Sequence, residues 1–176
     1  MAVINPLSKE KAAPSVHSFY DAFAKKFGFM PNIFAVMAHR PEALSSFIPF
    51  FQLMMGEGML TNRDKELAYL ATSMLNGCEY WTRAHTASAK QAGITDEQFK
   101  DMLFYQHSKA FDEKDKATLH FVQLVTRAAS TVRENILEEL RRYYDEKQIV
   151  ELTLIICLAN FTNRFNDALH ITPDLG

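Results

Sequence analysis

The dipeptide Asn76–Gly77 lies between two helical hydrophobic patterns, not between two alternating strand patterns. An Asn-Gly pair flanked by alternating strands would predict a β-hairpin, whereas the same pair after a helical pattern is typical of a helix end. Turn-forming residues are also few, since only six glycines and six prolines occur in 176 residues. The sequence therefore predicts an all-α fold that contains a two-helix hairpin around Asn76–Gly77.

Apolar residues at helical spacing predict helices along most of the chain. We predict one helical domain, residues 15–176, after an N-terminal arm, residues 1–14. The last pattern, which begins "EKQIVELTLIICLAN", is apolar almost all round as far as Cys157. This pattern predicts a helix at the centre of the bundle or in a subunit interface. The predicted helices cover about residues 15–26, 32–39, 41–55 with a kink at Pro49, 64–75 after a capping signal at Thr61, 78–91, 95–103, 112–129, 134–144 and 146–171.

Composition argues against several classes of partner. The net charge of −2 gives no electrostatic reason to expect nucleic acid or an anionic membrane. No stretch approaches the roughly 20 apolar residues of a membrane span, and the first residues do not resemble a signal peptide. We therefore predict a cytoplasmic protein with reduced cysteines, in which Cys157 is a buried structural residue. No motif predicts a metal ion or another cofactor.

The stretch "LNGCEYWTRAH" carries the main candidate site. Cys78, Trp81 and His85 are spaced i, i+3 and i+7, so they share one helix face. A helix start favours the thiolate of Cys78, and a histidine can move protons near neutral pH. The hairpin could bring Glu66 back toward Cys78 or His85. The alternative is that Cys78 is a small buried hydrophobe and His85 a structural residue, and spacing alone leaves both interpretations open.

A second group lies on the predicted last helix, where Asn160, Asn163, Arg164 and Asp167 share one side. One interpretation is an ion pair between Arg164 and Asp167, with the asparagines bonded to loop backbone. The other is that this side faces the Cys78 pocket and that Arg164 binds an acidic ligand through two parallel hydrogen bonds. The sequence does not decide between these two interpretations.

The block "ELAYLATSMLNGCEYWTRAHTASAKQAG" resembles the core of the alkylhydroperoxidase D-like (AhpD-like) and carboxymuconolactone decarboxylase superfamily. Redox members of that family carry Glu, eleven residues, Cys-x-x-Cys, three residues and His, and Glu66, Cys78 and His85 keep this spacing. The stretches "MPNIFAVMAHRPEALSSF" and "NRFNDALHITPD" resemble its peroxidase-related branch. The resemblance covers most of residues 28–174 and implies an AhpD-like helical bundle built around the hairpin, assembled as a homo-oligomer.

The chain departs from the family pattern at Trp81. In the family's redox members, the cysteine at that position reacts with peroxide, and the cysteine at the position of Cys78 resolves the sulfenic acid. The two-cysteine cycle therefore cannot run here. By the resemblance, the catalytic group is Cys78, His85 and Glu66. The residues expected to line a substrate pocket are Tyr80, Trp81, Asn160, Asn163 and Arg164.

Three functions follow from this resemblance. The first is peroxide reduction through the single thiol of Cys78, recycled by an external thiol, with Glu66 and His85 moving protons. The second is thiol-independent acid–base chemistry of the decarboxylase type on a small acidic or lactone-like substrate. The third is a non-catalytic oligomer that binds a small molecule or a protein, for which eight methionines and fourteen phenylalanines supply adaptable apolar surface.

Overall fold

The structure, a computed structural model, describes residues 3–174, and within them the chain forms nine α-helices and no strand. This confirms the all-α prediction. The first two residues of the predicted arm and the last two of the predicted domain lie outside the described residues. The helices are α1 His17–Phe27, α2 Asn32–Met37, α3 Pro41–Met55, α4 Asn62–Asn76, α5 Glu79–Gln91, α6 Asp96–Asp101, α7 Glu113–Ala128, α8 Glu134–Leu140 and α9 Glu146–Ala168.

Local sequence signals set the ends of the hairpin formed by α4 and α5. The Thr61 side chain accepts a hydrogen bond from the backbone N–H of Asp64, so α4 begins where the capping pattern predicts. Gly77 ends α4 in the left-handed conformation, with a φ of 71°, which a side chain would disfavour. Cys78 is the N-cap of α5. The chain thus reverses within two residues, and α5 runs back along α4.

The centre of the bundle is α4, whose residues 64–73 are all buried. It packs against α5, α7 and α9. Of the two positions predicted for α9, the centre of the bundle is wrong, because α9 buries one side against α4, α7 and α3 and leaves the opposite side exposed. The other, a subunit interface, stays a prediction. Cys157 lies on that exposed side, so the prediction of a buried structural cysteine is also wrong. An apolar run in the sequence did not reveal which side of the helix faces outward.

The charged residues at the start of α4 are buried or partly buried, and each has a partner on a neighbouring element. The ammonium of Lys65 lies 2.6 Å from Oε1 of Glu151 on α9 and donates to the backbone carbonyls of Met54 and Gly56. Arg63 binds Asp115 on α7 through two hydrogen bonds of 2.7 Å. These two pairs hold the start of α4 between α7 and α9. Lys65, a member of one pair, directly precedes Glu66 in the chain.

Both terminal segments pack on the bundle. The backbone N–H of Leu7 donates to Ala35, and the Tyr20 hydroxyl donates to the carbonyl of Leu7. Near the other end of the chain, Asp174 accepts hydrogen bonds from the Tyr80 hydroxyl and the Asn32 backbone. No helix among the described residues has the length and apolarity needed to cross a membrane.

Candidate active site

The hairpin brings the carboxylate of Glu66 on α4 to the imidazole of His85 on α5. Oε2 of Glu66 lies 2.7 Å from Nδ1 of His85, and both side chains are buried. The hydroxyl of Ser88, one turn after His85, donates to the same carboxylate oxygen at 3.0 Å. A carboxylate on Nδ1 fixes the tautomer with hydrogen on that nitrogen, so Nε2 presents its lone pair. Nε2 has no hydrogen-bond partner among residues 3–174.

Aromatic rings surround the imidazole of His85. The ring of Tyr69 stacks on it with centroids 4.0 Å apart and planes 16° apart, and the Trp81 indole lies 5.4 Å away. Phe51 on α3 packs on Trp81 with ring centroids 5.8 Å apart. The Tyr69 hydroxyl is itself held by Thr162 of α9 at 2.5 Å. This packing fixes the plane of the imidazole and gives the site apolar walls.

Cys78, the N-cap of α5, is fully buried, and its thiol points to the backbone carbonyl of Asn163 at 3.9 Å. Burial raises the pKa of the thiol from 9.0 to about 12, and the neighbouring Asp167 adds to the rise. The backbone N–H groups of Trp81 and Tyr80 favour the thiolate but are outweighed. The helix start therefore favours the thiolate as expected, but desolvation is the larger effect and the pKa of Cys78 is raised.

Trp81 fills the position that a second cysteine would occupy. Its indole is 5% exposed, and its Nε1 hydrogen has no acceptor among the described residues. The neighbouring Tyr80 is also buried, but its hydroxyl donates to Asp174 in the C-terminal segment. Burial and this carboxylate raise the pKa of Tyr80 well above its usual range. Tyr80 therefore connects the C-terminal segment to the first turn of α5.

The asparagines of α9 join the end of α4 to α9. The Asn76 amide donates to Oδ1 of Asn163 at 2.9 Å and to Oδ1 of Asn160 at 3.1 Å, and the Asn163 amide donates to Ser73. The interpretation in which these asparagines bind loop backbone is therefore wrong. These hydrogen bonds hold α9 against Asn76, the residue at which α4 ends.

Arg164 does not form the expected ion pair with Asp167 in the described part of the chain. Its guanidinium donates to the side chain and to the backbone carbonyl of Asn160, and the residue is exposed. Asp167 instead lies beside Cys78, where it acts on the thiol. The described contacts connect Arg164 to Asn160 and give it no contact with His85.

Three residues of the site did not emerge from the sequence. Tyr69 and Ser88 lie one helical turn from Glu66 and His85, so i+3 spacing was the signal that could have found them. Asn166 continues the side of α9 that carries Asn163, and neither polar atom of its buried side chain has a partner in residues 3–174. Within the same residues, no group of three or more potential ligands is arranged to hold a metal ion.

Comparison with known proteins identifies the fold family. Residues 41–124, which include Glu66, Cys78 and His85, match the model of the carboxymuconolactone decarboxylase family. The chain is similar to the alkylhydroperoxidase D and carboxymuconolactone decarboxylase superfamily over this segment, which is 84 of its 176 residues. Its relatives include the uncharacterized protein YdfG of Bacillus subtilis (strain 168), which is 27% identical over 114 residues, or 64% of this chain and 78% of that protein.

Two solved structures of the superfamily show how far the fold agrees. A peroxidase-related protein with an alkylhydroperoxidase AhpD core, from Ralstonia eutropha JMP134, superposes with a TM-score of 0.87 at 23% identity, over 99% of this chain and 93% of that one. A cysteine-to-alanine variant of the debrominase Bmp8, in complex with 2,3,4-tribromopyrrole, superposes with a TM-score of 0.82 at 21% identity, over 99% and 93%. These likenesses confirm the AhpD-like helical fold.

Proposed function

We propose that this protein is a thiol-independent acid–base enzyme in which His85 takes a proton from a small substrate and returns it. One observation carries the proposal: Glu66 holds Nδ1 of His85 at 2.7 Å, while Nε2 has no partner among residues 3–174. The neighbouring thiol is poorly suited to be the reactive group, because the pKa of Cys78 is raised to about 12. A thiol with such a pKa is almost entirely protonated at neutral pH.

The proton transfer follows from the hydrogen bonds of the pair. Nε2 accepts a proton from a carbon acid beside a carbonyl group of the substrate, and the imidazolium that forms is stabilised by the Glu66 carboxylate. Nε2 then returns the proton to a second carbon, so the side chain ends in its starting state. Ser88 holds the carboxylate through a 3.0 Å hydrogen bond, and Tyr69 holds the imidazole plane by stacking.

The walls of the site favour a small, planar and uncharged substrate. Tyr69 and Trp81 are buried against the imidazole, so the surroundings of the ring are apolar and disfavour a charged substrate. The described hydrogen bonds of Arg164 run from Nη1 to Asn160 and none connects it to His85, so we assign Arg164 no role in binding a substrate carboxylate. Bmp8, a relative with the same fold, was crystallised with a small planar ring, 2,3,4-tribromopyrrole. Unsaturated lactones and cyclic enones are therefore the substrate classes we propose.

The test is proton exchange between substrate and solvent. Small unsaturated lactones and cyclic enones are incubated with the protein in D2O, and deuterium incorporation at carbon is followed by NMR. We expect exchange with the unaltered protein and with Cys78→Ser, and loss of exchange with His85→Gln. Exchange that survives in His85→Gln, or that disappears in Cys78→Ser while the fold is intact, would overturn the proposal.

Single-thiol peroxide reduction is the second candidate. Two observations favour it: the backbone N–H groups of Tyr80 and Trp81 act on the Cys78 thiol in the direction that stabilises a thiolate, and the Ralstonia eutropha structure is of a peroxidase-related protein. In this reaction the Cys78 thiol would take one oxygen from a hydroperoxide, giving an alcohol and a sulfenic acid. Two molecules of an external thiol would then regenerate Cys78, releasing water and their disulfide.

The two candidates are separated by a second assay on the same variants. Consumption of cumene hydroperoxide in the presence of dithiothreitol is measured for the unaltered protein, Cys78→Ser and Cys157→Ser. Consumption that requires Cys78 but not Cys157 would support the second candidate. A protein inactive in both assays would fit a non-catalytic binding role. In each case we propose the cytoplasm as the compartment, because neither cysteine forms a disulfide in the structure.

A further inference from the structure

Two buried side chains, Trp81 and Asn166, have polar atoms without a hydrogen-bond partner among residues 3–174. The atoms are Nε1 of Trp81 and both Oδ1 and Nδ2 of Asn166. Trp81 is 5% exposed and Asn166 is 1% exposed, so bulk water does not satisfy them. A buried amide without hydrogen bonds destabilises a fold, and native structures keep few such groups. A hydrogen-bonding group from outside the chain is therefore expected at these two residues.

Trp81 and Asn166 both adjoin the aromatic surroundings of the candidate base. The Trp81 indole packs on Tyr69 with ring centroids 5.3 Å apart and on His85 with centroids 5.4 Å apart. The hydroxyl of Tyr69 bonds the hydroxyl of Thr162, which lies one helical turn before Asn166 on α9. Helices α5 and α9, which carry Trp81 and Asn166, are also in contact. The unpartnered atoms thus lie at one junction, beside the imidazole.

The three atoms match one ligand group, the cis amide of a lactam ring. A carboxamide side chain pairs with such an edge through two parallel hydrogen bonds: Nδ2 of Asn166 donates to the ring carbonyl, and the ring N–H donates to Oδ1. Asparagine binds the edge of adenine in the same bidentate way. The carbonyl oxygen has a second lone pair, which can accept from Nε1 of Trp81. A lactone has no N–H, so it leaves Oδ1 of Asn166 without a donor.

We propose that Trp81 and Asn166 form a subsite for the cis-amide edge of a small unsaturated lactam. The inference narrows the substrate class of the acid–base reaction proposed above, and it rests on that proposal for the chemistry at His85. In that reaction, Nε1 of Trp81 and Nδ2 of Asn166 donate to the carbonyl oxygen. This oxygen gains negative charge when His85 takes a proton from the adjacent carbon, so the two donors stabilise the enolate.

The subsite is enclosed, so a ligand enters when a neighbouring segment moves, and the C-terminal segment, residues 169–174, is placed to do so. The backbone N–H of Ile171 donates to the carbonyl of Asn166 at 2.9 Å, and Asp174 accepts a hydrogen bond from the hydroxyl of Tyr80 on α5. The segment is thus fastened to both helices that carry the subsite. Replacing Asp174 with alanine releases one of these two attachments.

NMR of the unaltered chain tests the subsite, because Trp81 is the single tryptophan and its indole N–H gives one signal. The probes are the five-membered unsaturated lactam and the lactone in which a ring oxygen replaces the N–H. We expect the lactam to shift the indole signal and to bind roughly tenfold more tightly than the lactone, since only the lactam pairs with Oδ1. Asn166→Leu should bind both probes with equal affinity.

Three results would overturn the subsite. The first is an indole signal that the lactam does not shift, which would mean that only water occupies the junction. The second is equal affinity of the unaltered protein for lactam and lactone. The third is a preference for the lactam that survives in Asn166→Leu.

Urea unfolding separates this role of Asn166 from a structural one. Asn166→Leu removes two unpartnered polar atoms, so we expect its unfolding midpoint to stay the same or to rise. The matched control is Asn163→Leu, which removes a buried amide that is bonded to Asn76 and Ser73 and should lower the midpoint. An equal fall of the midpoint in both variants would show that Asn166 supports the fold, and the proposal would fail.

Binding and proton exchange are measured separately, so the subsite and the acid–base reaction can fail independently. Lactam binding that requires Asn166, without deuterium exchange at any ring carbon, would support the subsite and overturn the reaction. Exchange that Asn166→Leu retains with unchanged kcat and KM would do the reverse. In stopped-flow fluorescence of Trp81, Asp174→Ala should speed lactam binding several-fold, and an unchanged rate would overturn the proposed route of entry.

Discussion

Nδ1 of His85 and Oε2 of Glu66 are 2.7 Å apart, across a hairpin whose two helices are joined only by Gly77 and Cys78. The two residues are 19 positions apart in the chain, yet the reversal at Gly77 brings their side chains together. Because Tyr69 stacks on the imidazole, the ring keeps one orientation, in which Nε2 is the nitrogen without a partner among residues 3–174. In the proposed reaction, proton transfer depends on which nitrogen carries the hydrogen.

The Glu66→Gln variant should lose activity while it keeps the fold. A glutamine amide can donate to Nδ1, which moves the hydrogen to Nε2 and removes the base, so we expect kcat/KM to fall by roughly 10²–10⁴-fold. Proton exchange in D2O measures the loss. Ser88→Ala serves as the control, since it removes only the second hydrogen bond to the carboxylate and should cost less than tenfold. Equal activity of Glu66→Gln and unaltered protein would contradict the role given to the pair.

The two cysteines should differ in reactivity toward iodoacetamide at pH 7.5. Cys157 is exposed, whereas Cys78 is fully buried with a pKa raised to about 12, so only Cys157 offers an accessible thiol. We expect mass spectrometry to find one modified cysteine in the folded protein, at Cys157, and two after unfolding in urea. Fast modification of Cys78 in the folded protein would instead favour the single-thiol peroxidase.

The raised pKa of Cys78 should also make stability fall at alkaline pH. Below pH 9 the Cys78 thiol is protonated in both the folded and the unfolded chain, so its contribution to the free energy of unfolding is fully present. Above pH 9 only the unfolded chain ionises it, and stability is lost until the folded thiol ionises near pH 12. Between pH 8 and pH 10.5 we expect the unaltered protein to lose about 2 kcal/mol more than Cys78→Ala.

Urea unfolding under reducing conditions measures this difference. The comparison with Cys78→Ala is needed because burial also raises the pKa values of Tyr69, Tyr80 and Tyr144, which contribute to the alkaline loss in both proteins. Parallel pH dependence of the two proteins would mean that Cys78 is not the group responsible. The Tyr contributions cancel in the subtraction.

Helix type and position were largely predictable from the sequence, because they depend on local signals. The cap at Thr61, the helix start at Pro41 and the end of α4 at Gly77 all lie where residue chemistry predicts them. The prediction for α9 failed at Cys157, because an apolar run does not specify which side of a helix finds partners. The side that faces outward is decided by α3, α4 and α7, which are distant in sequence.

In the candidate site, too, local spacing was predictable from the sequence and tertiary contacts were not. Spacing along one helix placed Cys78 and His85 together, but the pKa of Cys78 depends on burial by α9, which spacing does not contain. For Arg164 the sequence offered Asp167 as a partner three residues away, and the structure gives it Asn160, four residues away. Burial and partner choice come from tertiary packing, so they could not be read from the motif.

Gly58→Ala should destabilise the protein through the buried ion pair of Lys65 and Glu151. A Cβ atom at Gly58 would lie 2.0 Å from Oε1 of Glu151 and 2.8 Å from the Lys65 ammonium, so the pair must separate. Breaking a buried ion pair costs roughly 3–5 kcal/mol, and partial relaxation leaves an expected loss of about 2–4 kcal/mol. Chemical unfolding measures the loss. Glu57→Ala, at the exposed neighbouring position, should change stability by less than about 0.5 kcal/mol, and a similar value for Gly58→Ala would contradict the prediction.

Trp81→Cys should convert the site toward thiol redox chemistry at a cost in stability. Two cysteines at positions 78 and 81 lie one helical turn apart, within the Cα separation that a disulfide allows. Loss of the indole packing on Phe51, Tyr69 and His85 should destabilise the protein by about 3–5 kcal/mol. The same loss opens space beside Cys78 and admits water, which lowers the desolvation that now raises its pKa.

Trp81→Ala is the matched control, because it opens the same space without adding a thiol. We expect dithiothreitol-dependent consumption of cumene hydroperoxide by Trp81→Cys and none by Trp81→Ala. Equal rates for the two variants would mean that the indole is not what keeps this site from two-cysteine chemistry.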